Sequence, residues 1–207
     1  AYFTEIADPR IRQLFRPNLW PNTPDILTAY LQTGGEGAFA VRAILAATLA
    51  SSYGVYGPAF EHLDARPAAD GSEEYLHSEK YEIRRRDAGP PPLRPLLSAL
   101  NRIRRAHPAL QRDRGIVFHP VEGEGLLAYS RADDAGDRIL VIANTDPGRV
   151  GEGLVNVQTD RIGLPPGESY QVTDLLTGRR HRWQAGRNYV RLDPASAVAH
   201  VFQVEQR

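Results

Sequence analysis

The sequence changes character near Gly115, and this change constrains the fold more than any other feature. After it, short runs rich in valine, isoleucine and tyrosine recur about every ten residues, separated by glycine, aspartate and proline. The runs are GIVFHPVE, GLLAYSRAD, RILVIANTD, GLVNVQTD, SYQVTDLLTG, NYVRLD and AVAHVFQVE. This spacing is typical of an antiparallel β-sandwich, which we predict for residues 113–207.

The first half of the chain contains one long apolar segment. Residues 34–49, GGEGAFAVRAILAATL, are apolar on most helical faces and predict a largely buried helix. A short strand is predicted directly after it, at residues 53–56. Another strand is predicted before it, within IRQLFRPNLW, and ends in the proline-containing loop PNTPD. Strand, loop, helix and strand form a parallel βαβ unit. We therefore predict an α/β plus all-β chain, in which residues 1–112 are the end of an α/β domain.

A long polar stretch, residues 59–92, follows this unit. Loops of this length within a compact domain are usually functional. After it, a helix is predicted to start at Pro95. Its buried stripe would include Leu96, Leu100, Ile103 and Leu110, with arginines covering the solvent side.

Composition excludes several classes of function. The 25 basic and 25 acidic side chains cancel, so no net field would attract nucleic acid or an anionic membrane. The absence of cysteine excludes disulfides and thiol chemistry, and the six histidines show no metal-ligand spacing. No apolar run reaches the roughly 20 residues of a membrane span. The chain lacks methionine and a signal-peptide layout, so we expect a cytoplasmic protein that is processed or is part of a longer one.

Asp25 is the first candidate for a site residue. It lies between a predicted strand and the helix, at the carboxyl end of a parallel strand, where such folds bind ligands. Asn18, Asn22 and Thr23 offer hydrogen bonds beside it, and Trp20 offers an apolar face for a sugar ring. A second interpretation stays open, in which Asp25 caps the following helix and the asparagines satisfy turn backbone.

Lys80 and Tyr81 are the second candidate. Lys80 is the only lysine among the 25 basic side chains, which favours a site that uses a compact, strongly hydrated charge. Tyr81 can stack on a sugar or form a hydrogen bond with it. The alternative is that GSEEYLHSEKYE is a solvated, charged segment with a short helix.

Long motifs in the first half resemble one enzyme family. FRPNLWPNTPDILTAYLQTGG, AFAVRAILAATLASSYGVYGPAFE and GSEEYLHSEKYEIRRRD are similar to segments of the maltosyltransferases that extend α-1,4-glucan from maltose-1-phosphate, within the α-amylase superfamily. The resemblance covers nearly all of residues 1–112. In the second half, TDLLTG and NYVRLDPA resemble the C-terminal domain of the same family.

The resemblance implies a catalytic (β/α)8 barrel, of which residues 1–112 would hold the last strands and helices. Asp25 matches the aspartate that stabilises the oxocarbenium-like transition state of these retaining enzymes. Lys80 and Tyr81 match the pair that holds the maltosyl unit. Pro24 stands where most amylases have a histidine, which favours the maltosyltransferase branch.

The implied reaction is transfer of a maltosyl group from α-maltose-1-phosphate to the non-reducing end of an α-1,4-glucan, with release of phosphate, by a homodimeric parent enzyme. The nucleophile and the general acid/base would lie outside this chain, which alone is expected to be inactive. Two alternatives remain. The chain could be a non-catalytic carbohydrate-binding or assembly module, favoured if Trp183 and Tyr189 are exposed on one sheet face. The parent could also be an ordinary α-glucan hydrolase.

Overall fold

The computed structural model describes residue 5 and residues 8–76, 78–80, 83 and 89–206. The helices of the first part are α1 (Pro9–Leu14), α2 (Ala29–Thr33), α3 (Gly35–Leu49), α4 (Gly57–Glu61) and α5 (Arg94–Ala106). Its strands are β1 (Asn18–Leu19) and β2 (Ser52–Tyr53). The second part contains β3 (Ile116–His119), β4 (Val121–Glu124), β5 (Leu126–Ala132), β6 (Arg138–Asn144), β7 (Gly151–Val157), β8 (Tyr170–Asp174), β9 (Arg180–Trp183), β10 (Gly186–Leu192) and β11 (Ala199–Gln206). Short 3-10 helices occupy Pro108–Gln111 and Thr159–Ile162.

The predicted βαβ unit is present in a short form. Strands β1 and β2 pair in parallel, with Asn18 opposite Ser52 and Leu19 opposite Tyr53. Helix α3 connects them through the chain, and its buried side chains lie on nearly all of its faces, as the apolar sequence predicts. Because four of these nine side chains are alanine, neighbouring elements can pack closely against the helix backbone there.

The predicted first strand is wrong over most of its length. Residues 9–14 form helix α1, and the strand is confined to residues 18–19. Asp8 Oδ1 accepts a hydrogen bond from the Arg10 amide at 2.7 Å, and Pro9 lies in the first turn. An N-cap aspartate followed by proline is a strong helix start, and here it outweighs the β-favourable side chains that follow.

Helix α5 begins at Arg94, one residue before the predicted start. Leu100 and Ile103 are buried as predicted, but Leu97 takes the core position that was expected for Leu96. No helix in the described part of the chain is both long and apolar enough to cross a membrane.

The antiparallel β-sandwich predicted for the second half is confirmed. Its larger sheet has the strand order β3-β5-β6-β11-β8-β9, and its smaller sheet has the order β10-β7-β4. All pairs in both sheets are antiparallel. The sequence pattern missed β9, because its run Arg180–Trp183 is mostly charged and exposed.

The middle of the six-stranded sheet is buried on both faces, which explains the unbroken apolar run of β6. Leu140 and Ile142 pack in a cluster with Val155 of the smaller sheet. Ile139 and Val141 alternate with them and belong to the cluster that contains α3 and α5. The chain is therefore layered as helices, large sheet and small sheet, with the large sheet shared by two cores.

Two arginines bind carbonyl groups at the carboxyl end of α3. Arg104 of α5 donates to the carbonyl of Ser51 at 2.6 Å and of Ala50 at 3.2 Å. Arg131 of β5 is fully buried and donates to the carbonyl of Thr48 at 3.1 Å. Positive groups are stabilising at this end of a helix. The prediction that Arg104 covers the solvent side of α5 is therefore wrong, because the residue is partly buried in this contact.

Candidate functional site

Asp25 lies in a turn at the carboxyl end of β1. An isolated bridge between Thr23 and Ile26 closes the turn, and the Asp25 amide donates to Thr23 Oγ1 at 3.3 Å. The carboxylate therefore stands at the tip of the turn, with 53% of the side chain exposed. The N-cap of α2 is Thr28, three residues later, so Asp25 does not have the helix-capping role that was the alternative interpretation.

Lys80 meets Asp25 although the two are far apart in sequence. Lys80 Nζ lies 2.9 Å from Asp25 Oδ1. Both side chains keep part of their surface in solvent, so this ion pair contributes at most about 1 kcal/mol by itself. Its importance is positional, since it brings a carboxylate and an ammonium group together beside the end of a parallel strand. Tyr81, the third predicted site residue, lies outside the described residues.

Direct contacts between two loops hold this pair in place. We name residues 20–27 the aspartate loop and residues 72–76 with 78–80 the lysine loop. Ser78 Oγ donates to the carbonyl of Pro24 at 3.1 Å and accepts from the Lys80 amide at 3.3 Å. Gln32 Nε2 donates to the carbonyls of Leu27 and Ser72, each at 2.8 Å, and so joins the two loops at their other ends.

A polar cluster beneath the pair joins the loops to the segment that follows β2. Asn22 Nδ2 donates to Tyr75 Oη at 2.8 Å and to the carbonyl of Tyr56 at 3.3 Å, and Asn22 Oδ1 accepts from the Tyr56 amide at 3.2 Å. Tyr56 Oη donates to Glu79 Oε2 at 2.7 Å. Of these four residues, the sequence singled out only Asn22. Tyr56, Tyr75 and Glu79 carry no local signal that links them, because their contacts depend on how distant segments meet.

The other polar residues of the aspartate loop region have separate roles. Asn18 lies at the amino end of β1 and accepts from Ser52 Oγ at 3.0 Å, so it joins the two strands and is not beside Asp25. Asn22 is 2% exposed and acts as an internal connector. Only Thr23, through its contact with the Asp25 amide, lies directly beside the carboxylate as the sequence predicts.

Trp20 presents an indole face at the edge of the same loop, and 45% of its surface is exposed. A Cβ atom at Gly54 would lie 2.4 Å from the ring, so glycine is required for this close approach. A cavity of about 220 Å³ adjoins the ring and is also lined by Arg42. Arg42 Nη2 donates to the carbonyl of Pro21 at 3.1 Å, and burial lowers the pKa of this guanidinium. This hydrogen bond thus anchors the aspartate loop to α3.

Trp183 and Tyr189 do not lie exposed on one sheet face, since Trp183 belongs to β9 of the larger sheet and Tyr189 to β10 of the smaller sheet. Trp183 is 9% exposed and packs between Tyr170 and Phe202 in the core. Tyr189 is 61% exposed, and its hydroxyl donates to Glu152 Oε2 at 2.7 Å. In the part of the chain that the structure describes, no group of three His, Cys, Asp or Glu side chains comes together as a metal site.

Comparison with known proteins finds close relatives. Residues 118–204 match the sequence profile of a family described as GLGE, C-terminal. The whole chain is 43% identical to an α-1,4-glucan:maltose-1-phosphate maltosyltransferase of Methylacidiphilum infernorum, of which it covers 31%. Over 91% of its length it is 47% identical to the enzyme of the same name from Mycolicibacterium smegmatis, of which it covers 28%. The chain thus spans about a third or less of these relatives.

Solved structures of α-amylases have a similar fold. A maltogenic α-amylase from Thermotoga neapolitana matches 91% of the chain with a TM-score of 0.58 at 9% identity, and the match covers 40% of that protein. An α-amylase from Geobacillus thermoleovorans, solved with acarbose, matches 83% of the chain with a TM-score of 0.55 at 14% identity, over 34% of its own length. At this identity the likeness concerns the fold alone.

Proposed function

We propose that this chain is part of an enzyme with α-1,4-glucan:maltose-1-phosphate maltosyltransferase activity. The premise is that the chain belongs to the family of that name. The full-length enzyme would transfer a maltosyl group from α-maltose-1-phosphate to the non-reducing end of an α-1,4-glucan and release phosphate. Because this chain spans about 30% of its relatives, the activity is proposed for the parent protein.

The meeting of Asp25 and Lys80 is the observation that carries the proposal. The two residues stand on separate loops, yet their charged atoms are 2.9 Å apart at the end of a parallel strand. A sugar hydroxyl both donates and accepts hydrogen bonds, so it can donate to the carboxylate and accept from the ammonium group. The pair therefore suits a neutral, hydroxyl-rich ligand. Trp20, exposed at the edge of the same loop, offers an apolar face for a sugar ring.

The proposed chemistry is a double displacement with retention. A carboxylate outside this chain attacks the anomeric carbon, and the bond to phosphate breaks. The hydroxyl of the acceptor glucan then attacks the same carbon, the enzyme–sugar bond breaks, and the hydroxyl proton passes to a second carboxylate outside this chain. Asp25 would stabilise the positive charge that develops at the anomeric carbon in both steps. Lys80 and Tyr81 would hold the maltosyl unit.

The remaining parts of the proposal concern the parent protein. Residues 1–112 would be the C-terminal portion of a catalytic (β/α)8 barrel, with β1 and β2 as its last two strands, and residues 113–207 the sandwich domain behind it. The parallel pairing of β1 and β2 and the likeness to α-amylases support this division. The resemblance implies a homodimeric parent enzyme that needs no metal or organic cofactor, and the composition predicts a cytoplasmic location; all of these stay predictions.

The decisive experiment is to replace Asp25→Asn in the full-length enzyme and to follow phosphate release from maltose-1-phosphate with glycogen as acceptor. Loss of the charge that stabilises the transition state should lower kcat by about 10²- to 10³-fold. Asp134→Asn is the matched control, since it changes an exposed aspartate that pairs with Arg114 in the sandwich.

Each outcome of this experiment has a distinct meaning. Near-normal turnover in Asp25→Asn would refute the role of Asp25, and a wild-type enzyme that releases no phosphate would refute the reaction itself. Maltose appearing in place of glucan elongation would identify a hydrolase.

A non-catalytic role in carbohydrate binding is the second candidate, and the exposure of Tyr189 favours it. The burial of Trp183 counts against it, because the second of the two expected aromatic rings is then not available to a sugar. Retention of the 207-residue chain on immobilised glycogen, lost in Tyr189→Ala, would support this role. Equal elution of the two proteins would exclude it.

A further inference from the structure

Tyr56 makes two hydrogen bonds to the residue that directly precedes Lys80. Its hydroxyl donates to Glu79 Oε2 at 2.7 Å and accepts from the Glu79 amide at 3.3 Å. A bond to a carboxylate is charge-assisted and stronger than one between neutral groups. A phenol that binds both the side chain and the backbone of one residue fixes the path of the chain there. Tyr56 thereby fixes the backbone position from which the Lys80 side chain extends.

Asn22 fixes the same tyrosine from the other side. Its amide group bonds both the backbone N–H and the backbone carbonyl of Tyr56, and it also donates to Tyr75 Oη. Asn22 is three residues before Asp25 in the aspartate loop. The Tyr56 and Tyr75 rings pack edge to face, with centroids 5.8 Å apart. One buried connector thus ties the loop that carries Asp25 to the tyrosine that positions Lys80.

The ion pair between Lys80 and Asp25 is too weak to hold this geometry by itself. An exposed pair contributes about 1 kcal/mol or less, and both side chains are flexible and partly solvated. The bonds made by Asn22 and Tyr56 are more buried, and the asparagine and tyrosine side chains have few rotatable bonds. The position of the charged pair must therefore come mainly from this cluster together with Ser78, which bonds both the carbonyl of Pro24 and the Lys80 amide.

We infer that Tyr56, held by Asn22, is a positioning residue that sets the placement of Lys80 relative to Asp25 through its contact with Glu79. This inference rests on the proposed function, because its kinetic consequence requires that Lys80 binds the sugar. In this role Tyr56 acts on the sugar only through Glu79 and Lys80. A change at its hydroxyl should therefore weaken the binding of maltose-1-phosphate while leaving the chemical step nearly intact.

Tyr56→Phe tests the inference in the full-length enzyme, because it removes the hydroxyl and keeps the ring against Tyr75. The KM for maltose-1-phosphate should rise about 5- to 20-fold, with kcat within about threefold of the wild type. Tyr53→Phe is the matched control. That tyrosine lies three residues earlier and donates to Asn101 Oδ1 at 2.6 Å, so its variant also loses a phenol hydrogen bond, but away from the two loops. Its KM should stay at the wild-type value.

A second measurement uses Lys80 as a probe in the 207-residue chain and does not depend on activity. Because Lys80 is the only lysine, selective ¹⁵N-lysine labelling gives a single backbone amide signal. The Tyr56→Phe substitution should shift this signal, whereas Tyr53→Phe should leave it in place. Glu79→Ala should shift it too, and the shift in the double variant should be smaller than the sum of the two single shifts, because both changes break the bond between the phenol and the carboxylate.

The outcomes separate this inference from the proposed function. An unmoved lysine signal in Tyr56→Phe, or a KM equal to that of Tyr53→Phe in an active enzyme, would overturn the positioning role. The positioning role would also be overturned if the KM rise in Tyr56→Phe came with a loss of thermal stability that Tyr53→Phe does not show. A structural defect would then explain the rise. If the wild type does not use maltose-1-phosphate, the proposed function fails, and a shifted lysine signal would still support the contact.

Discussion

His119 in the sandwich cannot accept a proton without losing a hydrogen bond. Its Nδ1 accepts from the backbone N–H of Gln158 at 3.2 Å, so Nδ1 carries no hydrogen and Nε2 donates to Ser130 Oγ at 2.9 Å. Protonation would put a hydrogen on Nδ1, and this N–H group would then face the Gln158 N–H group, although both are donors. Burial, together with the positive charge of Arg161, lowers the pKa of the imidazole from 6.5 to about 4. The histidine is therefore neutral in the folded protein at mildly acidic pH.

The stability that this histidine contributes is lost as the pH falls. In the unfolded chain the imidazole binds a proton below about pH 6.5, whereas in the folded chain it does so only below about pH 4. The unfolded state thus binds more protons between these values, and acid favours unfolding in this window. At about 1.4 kcal/mol for each pH unit, the full effect is about 3 kcal/mol, of which about 2 kcal/mol is lost between pH 7.5 and pH 5.

The assay is urea denaturation of the wild type and of His119→Gln at pH 7.5 and pH 5. Because glutamine does not titrate, the wild type should lose about 2 kcal/mol more than the variant between the two pH values. His181→Gln, at an exposed histidine on β9, is the control and should follow the wild type at both pH values. A difference between wild type and His119→Gln that does not change with pH would refute the assignment of a neutral, buried imidazole.

Two further predictions concern stability. Arg131→Met leaves two backbone carbonyls at the junction of α3 and the sandwich without their charged donor. In urea denaturation it should lower the free energy of unfolding by about 3 kcal/mol, whereas Arg114→Met, at an exposed arginine, should change this free energy by less than about 0.5 kcal/mol. Gly115→Ala should cost about 3 kcal/mol or more, because its Cβ would overlap the carbonyl of Ala132, whereas Gly178→Ala, also at positive φ but with open space around it, should cost only about 1 kcal/mol in thermal melts. Equal melting temperatures for the two glycine variants would contradict the steric argument.

Much of the fold could be predicted from the sequence, because its patterns are local. The apolar segment at residues 34–49 gives α3, and most runs after Gly115 give strands at their expected places. The two errors have local and non-local causes. Helix α1 follows from a capping signal at Asp8 that the β-favourable residues obscured. Strand β9 is charged because it is an edge strand of the large sheet, and the sequence alone does not reveal that position.

The sequence could identify the two charged residues of the candidate site, Asp25 and Lys80, but not the contacts that join them. Asp25 could be found from its position after a strand, and Lys80 from its rarity and from the family resemblance. The cluster between them could not, because Tyr56 and Glu79 belong to different segments and acquire their roles only when those segments meet. Asn22 shows the difference clearly: the sequence marks it as a polar loop residue, but only the fold makes it an internal connector.

The sandwich also contributes to the position of the site through α3. Arg42 in the middle of this helix donates to the carbonyl of Pro21 and so supports the loop that carries Asp25. The carboxyl end of the same helix is bound by Arg131, which comes from the sandwich and is fully buried. Since a helix moves largely as a rigid body, a shift of its bound end would be transmitted to the loop. The sandwich is therefore part of the framework that places the carboxylate, even though none of its side chains lies at the site.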